Sequence, residues 1–265
     1  MLTAIMRGVS PAMANCELTF LARVPIDLAK ALEQHRAYEK VLEKFGAKVI
    51  SLPAEPALGD SMFVEDPAMV LDEVAVIFPL GTESRRAEAA SLATVLSNFR
   101  ELKYVQLPGT AEGGDILRVE RHLFAGLSKR TNEDGIRQLQ SIVEEYGYTV
   151  TAVRVSGCLH LKSAATFLGR NTLLVNRKWF NDSCMPGFEW IDVAPEEPHA
   201  ANALAFNDTV ILPASFPLTR TRIEARGFTV LPLDISELQK AESGLTCSSL
   251  LFDGGNVLGQ KEMAT

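Results

Sequence analysis

Two short apolar runs about a tight turn, a stretch with apolar positions at helical spacing, and one more apolar run recur in that order along the chain. The clearest copy pairs Asp115–Val119 with His122–Gly126 across Glu120-Arg121. A helix is expected from about Asn132 to Tyr146, ended by Gly147, with a strand at Tyr148–Val153. The copy before it pairs Met69–Leu71 with Val74–Pro79 across Asp72-Glu73, and predicts a helix from about Glu83 to Leu102 and a strand at Tyr104–Leu107. Ala164–Leu168 and Leu173–Asn176 begin another, with a short or degenerate helix near 178–182 and a strand at Glu189–Val193. Ala201–Phe206 and Thr209–Leu212 begin the last, with a helix near 220–226 and a strand at Phe228–Pro232.

The first copy is incomplete. It reads as a strand at Leu18–Ala22, a helix capped by Asp27 and stopped by Gly46, and a strand at Lys48–Pro53, with no entering strand. The run Ser248–Phe252 could supply it from the other end of the chain. Helix exits repeat almost as one phrase: Phe45-Gly-Ala-Lys-Val49, Tyr146-Gly-Tyr-Thr-Val150 and Arg226-Gly-Phe-Thr-Val230. Repeats whose ends complete one module predict a closed ring of five ββαβ units with helices outside. A generic open α/β sheet is the alternative that periodicity leaves standing.

Composition narrows the class. The chain has 265 residues, 47% hydrophobic and 22% charged. No linker or low-complexity segment divides residues 1–265, so a single domain is expected. The net charge of −7 argues against nucleic acid and anionic membranes as partners. No apolar run reaches the roughly 18 residues a membrane helix needs. Cys16, Cys158, Cys184 and Cys247 lack disulfide or zinc spacing, which points to a reducing cytoplasm and to no metal.

Polar residues that the repeat does not need cluster just ahead of the entering strands: Asp60, Glu65 and Asp66, then Glu112-Gly-Gly-Asp115, then His160 and Lys162, then Cys247. A closed ring carries such equivalent positions to one end of its axis. Taken singly each has a bland reading: a buried thiol, a core histidine, a tight turn, a solvated acidic pair. Together they offer a nucleophile, an imidazole to move protons and carboxylates to hold a cation. Arg85 and Arg130 sit in strand-to-helix loops, where guanidinium forks could take a carboxylate; surface charge is the alternative. Carboxylates at one end and arginines at the other suit an arginine-like zwitterion.

Phe63-Val-Glu-Asp66, Glu112-Gly-Gly-Asp115, Gly126-Leu-Ser-Lys-Arg-Thr131, Leu159-His-Leu-Lys-Ser163 and Leu245-Thr-Cys-Ser248 closely resemble the motifs of the dimethylarginine dimethylaminohydrolases, in that family's order. The resemblance implies the pentein fold, a five-bladed pseudosymmetric α/β propeller. It implies hydrolysis of Nω-methylated arginine to citrulline and methylamine or dimethylamine, without cofactor. It assigns Cys247 as nucleophile, His160 as general acid and base, and Glu112 as its acidic partner. Asp60, Phe63, Glu65 and Asp66 would surround the guanidinium. Arg85 and Arg130 would bind the α-carboxylate, and the main-chain carbonyls of Leu18 and Ala241 the α-amine. Segment 12–20 is the expected lid, and a homodimer is compatible with the chain. Arginine deiminase, amidinotransferase and non-catalytic amino-acid-binding pentein remain the alternatives.

Overall fold

A computed structural model describes residues 1–255 of the chain. Its strands form five separate three-stranded sheets. In the first, β1 (Leu2–Arg7) lies between β15 (Leu250–Asp253) and β2 (Lys48–Leu52). The second joins β3 (Ala68–Val70), β4 (Val74–Ile77) and β5 (Glu101–Tyr104). The third joins β6 (Ile116–Val119), β7 (His122–Leu127) and β8 (Thr149–Arg154). The fourth joins β9 (Ala165–Gly169), β10 (Thr172–Val175) and β11 (Glu189–Asp192), and the fifth β12 (Leu204–Phe206), β13 (Thr209–Pro213) and β14 (Thr229–Leu233). In every sheet the entering strand is antiparallel to the middle one, and the middle one parallel to the last. A parallel pair needs a crossover. Four of the units use a helix: α1 (Leu28–Lys44), α2 (Glu88–Leu96), α3 (Glu133–Val143) and α5 (Pro217–Glu224). The fourth unit has only a turn of 3₁₀ helix at Asp182–Cys184, matching the degenerate helix expected there.

Entering strands lie against one another, β15 on β3, β6 on β9 and β9 on β12, so they form the inner wall of the ring. The ring is closed by pairing of the two ends of the chain, from Leu2 opposite Asp253 to Ile5 opposite Leu250. This is the five-unit α/β propeller. Adjoining units share apolar cores: Ile5, Leu250 and Phe252 of the first pack with Val70, Ile77, Leu92 and Leu96 of the second. Local chemistry sets the helix ends as expected for α1, where the Asp27 carboxylate accepts from the Lys30 N–H and Gly46 adopts φ +83°.

Two expectations are corrected. The first strand is Leu2–Arg7, not Leu18–Ala22; Phe20 and Leu21 are exposed in a loop, whereas Ala4, Ile5 and Met6 are wholly buried. The helix expected to reach Leu102 ends at Leu96, and the following strand is Glu101–Tyr104 instead of Tyr104–Leu107. Asn98 turns its amide back onto the Thr94 and Val95 carbonyls, and Arg100, buried, donates to the Leu71 carbonyl. Both contacts stop the helix early and draw Glu101 opposite Val74. Two further short helices, α4 (Leu161–Ala164) and α6 (Ser236–Gln239), precede inner elements and position the site.

Candidate active site

At the axis a small cavity is lined by Glu17, Asp60, Phe63, Asp66, Arg85, Arg130, Leu159, His160, Ala241, Glu242, Ser243 and Cys247. Asp66 and Cys247, 181 positions apart, meet there with His160 because each of the three stands just ahead of an entering strand. Cys247 belongs to a 3₁₀ turn, Thr246–Ser248, that runs into β15. The Gly244 N–H points at its sulfur from 3.4 Å. Burial, reinforced by the Glu65 and Asp66 carboxylates, pushes the thiol up to about 12, against the Gly244 N–H and Lys162.

His160 precedes α4 and is fixed from two sides. Its Nε2 is 2.6 Å from Glu112 Oε2, and its Nδ1 is 4.0 Å from Asp66 Oδ1. Burial alone would disfavour the imidazolium; Asp66, the Glu112 hydrogen bond and Asp115 outweigh it and raise His160 to about 9. Burial likewise opposes charge on Glu112, but the hydrogen bond from His160 and the charges of His160, Arg85 and Arg130 hold it down at about 2. Such closeness requires the glycines of Glu112-Gly-Gly-Asp115. A Cβ on Gly114 would stand 2.6 Å from His160 Nδ1, and one on Gly113 2.0 Å from the Glu65 carbonyl oxygen.

The arginines are not at the far end from the carboxylates. Arg85 Nη1 is 2.9 Å from Asp66 Oδ2, while its other nitrogens bond Glu88 at 3.0 and 2.9 Å. Arg130 Nη1 is 3.4 Å from Glu112 Oε1 and its Nη2 donates to Thr19 Oγ1. The two signs are interleaved. Asp66 Oδ1 alone is left buried with no hydrogen-bond partner among the carboxylate oxygens of the described residues. Asp66, Glu112 and His160 bring one ligand atom each within 4.8 Å of one another, a set a metal ion could use. Arg85 and Arg130 already neutralise these carboxylates and work against a bare divalent cation.

Of the residues singled out from sequence, Cys247, His160, Asp60, Phe63, Asp66, Arg85, Arg130 and Ala241 line the cavity. Glu112 stands behind His160, fully buried. Glu65 does not line it: Lys162 Nζ and Thr246 Oγ1 occupy its two oxygens at 2.5 and 2.7 Å. Leu18 packs on the apolar cluster around Met13 and Tyr38. Sequence reasoning named Asp115 within its motif but gave it no role; its oxygens accept from the Leu161 N–H, Ser128 and Thr131 and so hold the start of α4. It passed over Glu242. That carboxylate accepts from the N–H groups of Thr19, Phe20 and Leu21, and its backbone sits at φ +58°. Only the unusual Gly-Gly-Asp spacing hinted at the first; nothing local marked the second. Glu17 completes the cover, its N–H on Asp60 and its carboxylate on Ser84. The void left is ≈ 10 Å³, about one water.

A five-bladed α/β propeller with a thiol, an imidazole and carboxylates at its axis belongs to the pentein class. The family model for N,N dimethylarginine dimethylhydrolase, eukaryotic, matches residues 22–184. The N(G),N(G)-dimethylarginine dimethylaminohydrolase of Pseudomonas aeruginosa is 38% identical over 85% of this chain and 90% of its own length. That of Streptomyces coelicolor is 34% identical over 93% and 95%. A cysteine-to-serine mutant of the Pseudomonas enzyme, crystallised with citrulline, superposes with a TM-score of 0.89 at 35% identity, over 95% of this chain and 100% of that one. The N-terminal domain of ArgZ, an arginine dihydrolase, shares the fold at 20% identity and a TM-score of 0.81. This chain belongs to the dimethylarginine dimethylaminohydrolase family.

Proposed function

We propose that the protein hydrolyses Nω-methylated L-arginine to L-citrulline and methylamine or dimethylamine, through a thiouronium on Cys247. The buried Asp66 Oδ1, which makes no hydrogen bond and has only the His160 Nδ1 at 4.0 Å, lies in a cavity shared with Cys247 and carries the reading: it is an acceptor free for a cationic N–H donor. The family's enzymes are named for this reaction, and one solved relative is an adduct with S-methyl-L-thiocitrulline.

At neutral pH the empty site holds a thiol and an imidazolium, since Cys247 titrates near 12 and His160 near 9. A guanidinium on Asp66 offsets the carboxylate charge that adds to burial in holding the thiol up, and the thiol proton departs to solvent. Thiolate sulfur adds to the guanidinium carbon. His160 gives its proton to the methylated nitrogen, the C–N bond breaks, and the neutral amine leaves the S-alkylthiouronium. Water then adds to the same carbon and His160 takes one of its protons; the C–S bond breaks as the remaining hydroxyl proton passes to the departing sulfur, which returns the Cys247 thiol and leaves the neutral ureido group of citrulline. Proton transfer of this kind is worth ~10²–10⁴-fold. Glu112 keeps the imidazole oriented and cationic for the first step.

In this reading Asp60, Phe63 and Asp66 bound the guanidinium directly, and Glu65 acts from behind the wall. Arg85 and Arg130 trade part of their pairing for the substrate α-carboxylate, and the Leu18 and Ala241 carbonyls receive the α-amine. Segment 12–20 opens as the lid; its Glu17 N–H on Asp60 and its Thr19 hydroxyl under Arg130 support the reading. We read the chain as one catalytic domain of the cytoplasm, free to form a homodimer and acting without a cofactor. Its four cysteines are free, and no helix among the described residues is long and apolar enough to cross a membrane.

Amine identification tests the reading. Asymmetric dimethylarginine should give citrulline and dimethylamine with wild type and neither with Cys247→Ser. Preferential release of ammonia from unmethylated arginine, or equal turnover by the two proteins, would sink it.

A further inference from the structure

Four of the five units place a chemical group of the site just ahead of the entering strand: Cys247, Asp66, Glu112 and His160. The fifth places Asn202 there, two residues before β12, buried and outside the catalytic cavity. Its carboxamide joins the segment that carries the nucleophile to the one that carries the imidazole. Nδ2 donates to the Lys162 carbonyl at 3.1 Å and to Thr246 Oγ1 at 3.0 Å, while Oδ1 accepts from the Thr246 N–H at 3.1 Å. Gly244 leaves it the room, since a Cβ there would stand 2.2 Å from Asn202 Cγ.

The donors determine a direction. Because the amide N–H points at Thr246 Oγ1, the hydroxyl proton is free to go on to Glu65 Oε2, 2.7 Å away, and Lys162 Nζ supplies the other oxygen. Glu65 in turn gives its own N–H to the Cys247 carbonyl at 3.2 Å. Cys247 is thus held by a closed circuit of Asn202, Thr246, Glu65 and Lys162, and Lys162 lies two residues beyond His160. Networks of this kind, fully satisfied and buried, hold a single geometry.

We infer that Asn202 is a positioning residue of the site: its carboxamide sets the nucleophile turn against the His160–Lys162 segment and directs the Thr246 hydroxyl onto Glu65. This rests on Cys247 being the nucleophile. The fifth junction supplies no group to the reaction; it braces the first junction against the fourth and, through Thr246 and Lys162, reaches Glu65 of the second. Groups facing the thiol are Tyr38 of α1, Glu65 and Asp66 ahead of β3, and Lys162 of α4; His160, Asp60, Arg85, Arg130, Glu17 and Glu242 share its cavity.

Asn202→Asp keeps the shape and the acceptor but removes both donors and adds a carboxylate to a shell that already holds Glu65 and Asp66. Inactivation by iodoacetamide, followed against pH without substrate, reads the thiol directly. The variant's curve should move to higher pH by about one unit, a tenfold loss of thiolate at a given pH. With methylarginine, kcat should fall about tenfold and KM change less than about twofold, since Asn202 does not line the cavity. Thr246→Val breaks the same circuit from its other side and should move the curve the same way; it takes over as the test if Asn202→Asp does not fold. The double variant should be less than additive. An unmoved inactivation curve in the folded variant overturns the inference, whether kcat is retained or falls only with Tm. A wild type that releases no amine from methylarginine would instead remove the proposed reaction, and the iodoacetamide curves would still judge Asn202.

Discussion

Ion pairs of nearly one length occur in two places in this molecule, and they are different objects. At the axis Arg85 meets Asp66 and Glu88 at 2.9 Å, with all three side chains almost fully buried. At the outer turns Arg177 meets Asp192 at 2.8 Å and Arg118 meets Asp72 at 2.7 Å, with side chains about a third to a half exposed. Several of the outer arginines also lie over rings, Arg177 on Trp190 and Arg118 on Tyr148. Distance does not separate the two sets; water does. Outside, solvent screens each pair and can replace either partner. Inside, no charge can lose its partner without standing alone in a poor dielectric, so the axis holds its charges in a fixed order. A substrate bringing a guanidinium and a carboxylate to these charges, with its α-ammonium taken by main-chain carbonyls, can re-pair that set without leaving any member unmatched.

Breaking an inner pair from the cationic side should therefore have the largest effect on stability. Arg85→Ala leaves Asp66 and Glu88 buried without their common partner, and burial has already raised Glu88 to about 7. The expected loss is about 3–5 kcal/mol of unfolding free energy, measured by denaturant titration. A loss under about 1 kcal/mol would mean that the axis is as wet as the rim. Glu112→Gln is the milder cut. It keeps the shape, and removes the hydrogen-bonded carboxylate that, after Asp66 and together with Asp115, holds His160 as imidazolium. Stability should fall by about 1.5–3 kcal/mol, and kcat should fall by about 10²-fold or more. The His160 titration, followed by NMR, should drop from near 9 toward its ordinary 6.5. An unchanged titration would take Glu112 out of its assigned role.

The same contrast explains what the sequence disclosed. Junction residues stood out because Cys247, His160, Glu112 and Asp66 interrupt apolar, strand-like surroundings, and the repeat indicated that they share one end of the ring. The five sheets were legible for a related reason: hairpins such as Val70–Val74 and Val119–His122 announce themselves locally through turn residues. β1 did not. Its antiparallel partner is β15, at the other end of the chain, and its parallel partner lies beyond α1, so no adjoining turn marks it. Leu18–Ala22 has the same apolar character and was preferred, although it is a loop tied down by Glu242. Partners were the other blind spot. Residue type told that Arg85 and Arg130 want carboxylates, but not that Asp66, Glu88 and Glu112 already provide them. Glu65 read as a ligand of the substrate because its motif is contiguous with Asp66, yet neighbours in a turn point apart, and Lys162 takes it. Asn202 carried no signal, being one amide among small residues; only its equivalence to the other four junctions could have found it.

Titration of the axis offers a gentler way to loosen it than mutation. The His160–Glu112 bond is one interaction seen from two ends. His160, raised from 6.5 to about 9, contributes in full below pH 6.5 and loses its contribution as pH climbs through 9. Glu112, lowered from 4.5 to about 2, contributes in full above pH 4.5 and loses it as pH falls through 2. Tm should therefore be highest between about pH 5 and 6.5 as far as this pair is concerned, and should decline toward pH 9. In His160→Gln the alkaline decline should flatten. An equally steep decline in that variant would assign it to other groups.

The smallest effect should come from the rim. Arg177→Ala removes a pair with Asp192 that has both Nε and Nη2 engaged, at 2.8 Å each, which is as good a fork as any at the axis. It also removes the cation over Trp190. If geometry governed strength, this substitution would rival Arg85→Ala. Because Asp192 keeps its solvent and Arg177 is about half exposed, the expected cost is about 0–1 kcal/mol, and it should shrink further in about 1 M salt. Turnover should not change, since the pair stands at the outer strand of the fourth unit, away from the axis. A cost near that of Arg85→Ala, persisting in salt, would show that the fork and not its dryness sets the energy, and the distinction between axis and rim would fall.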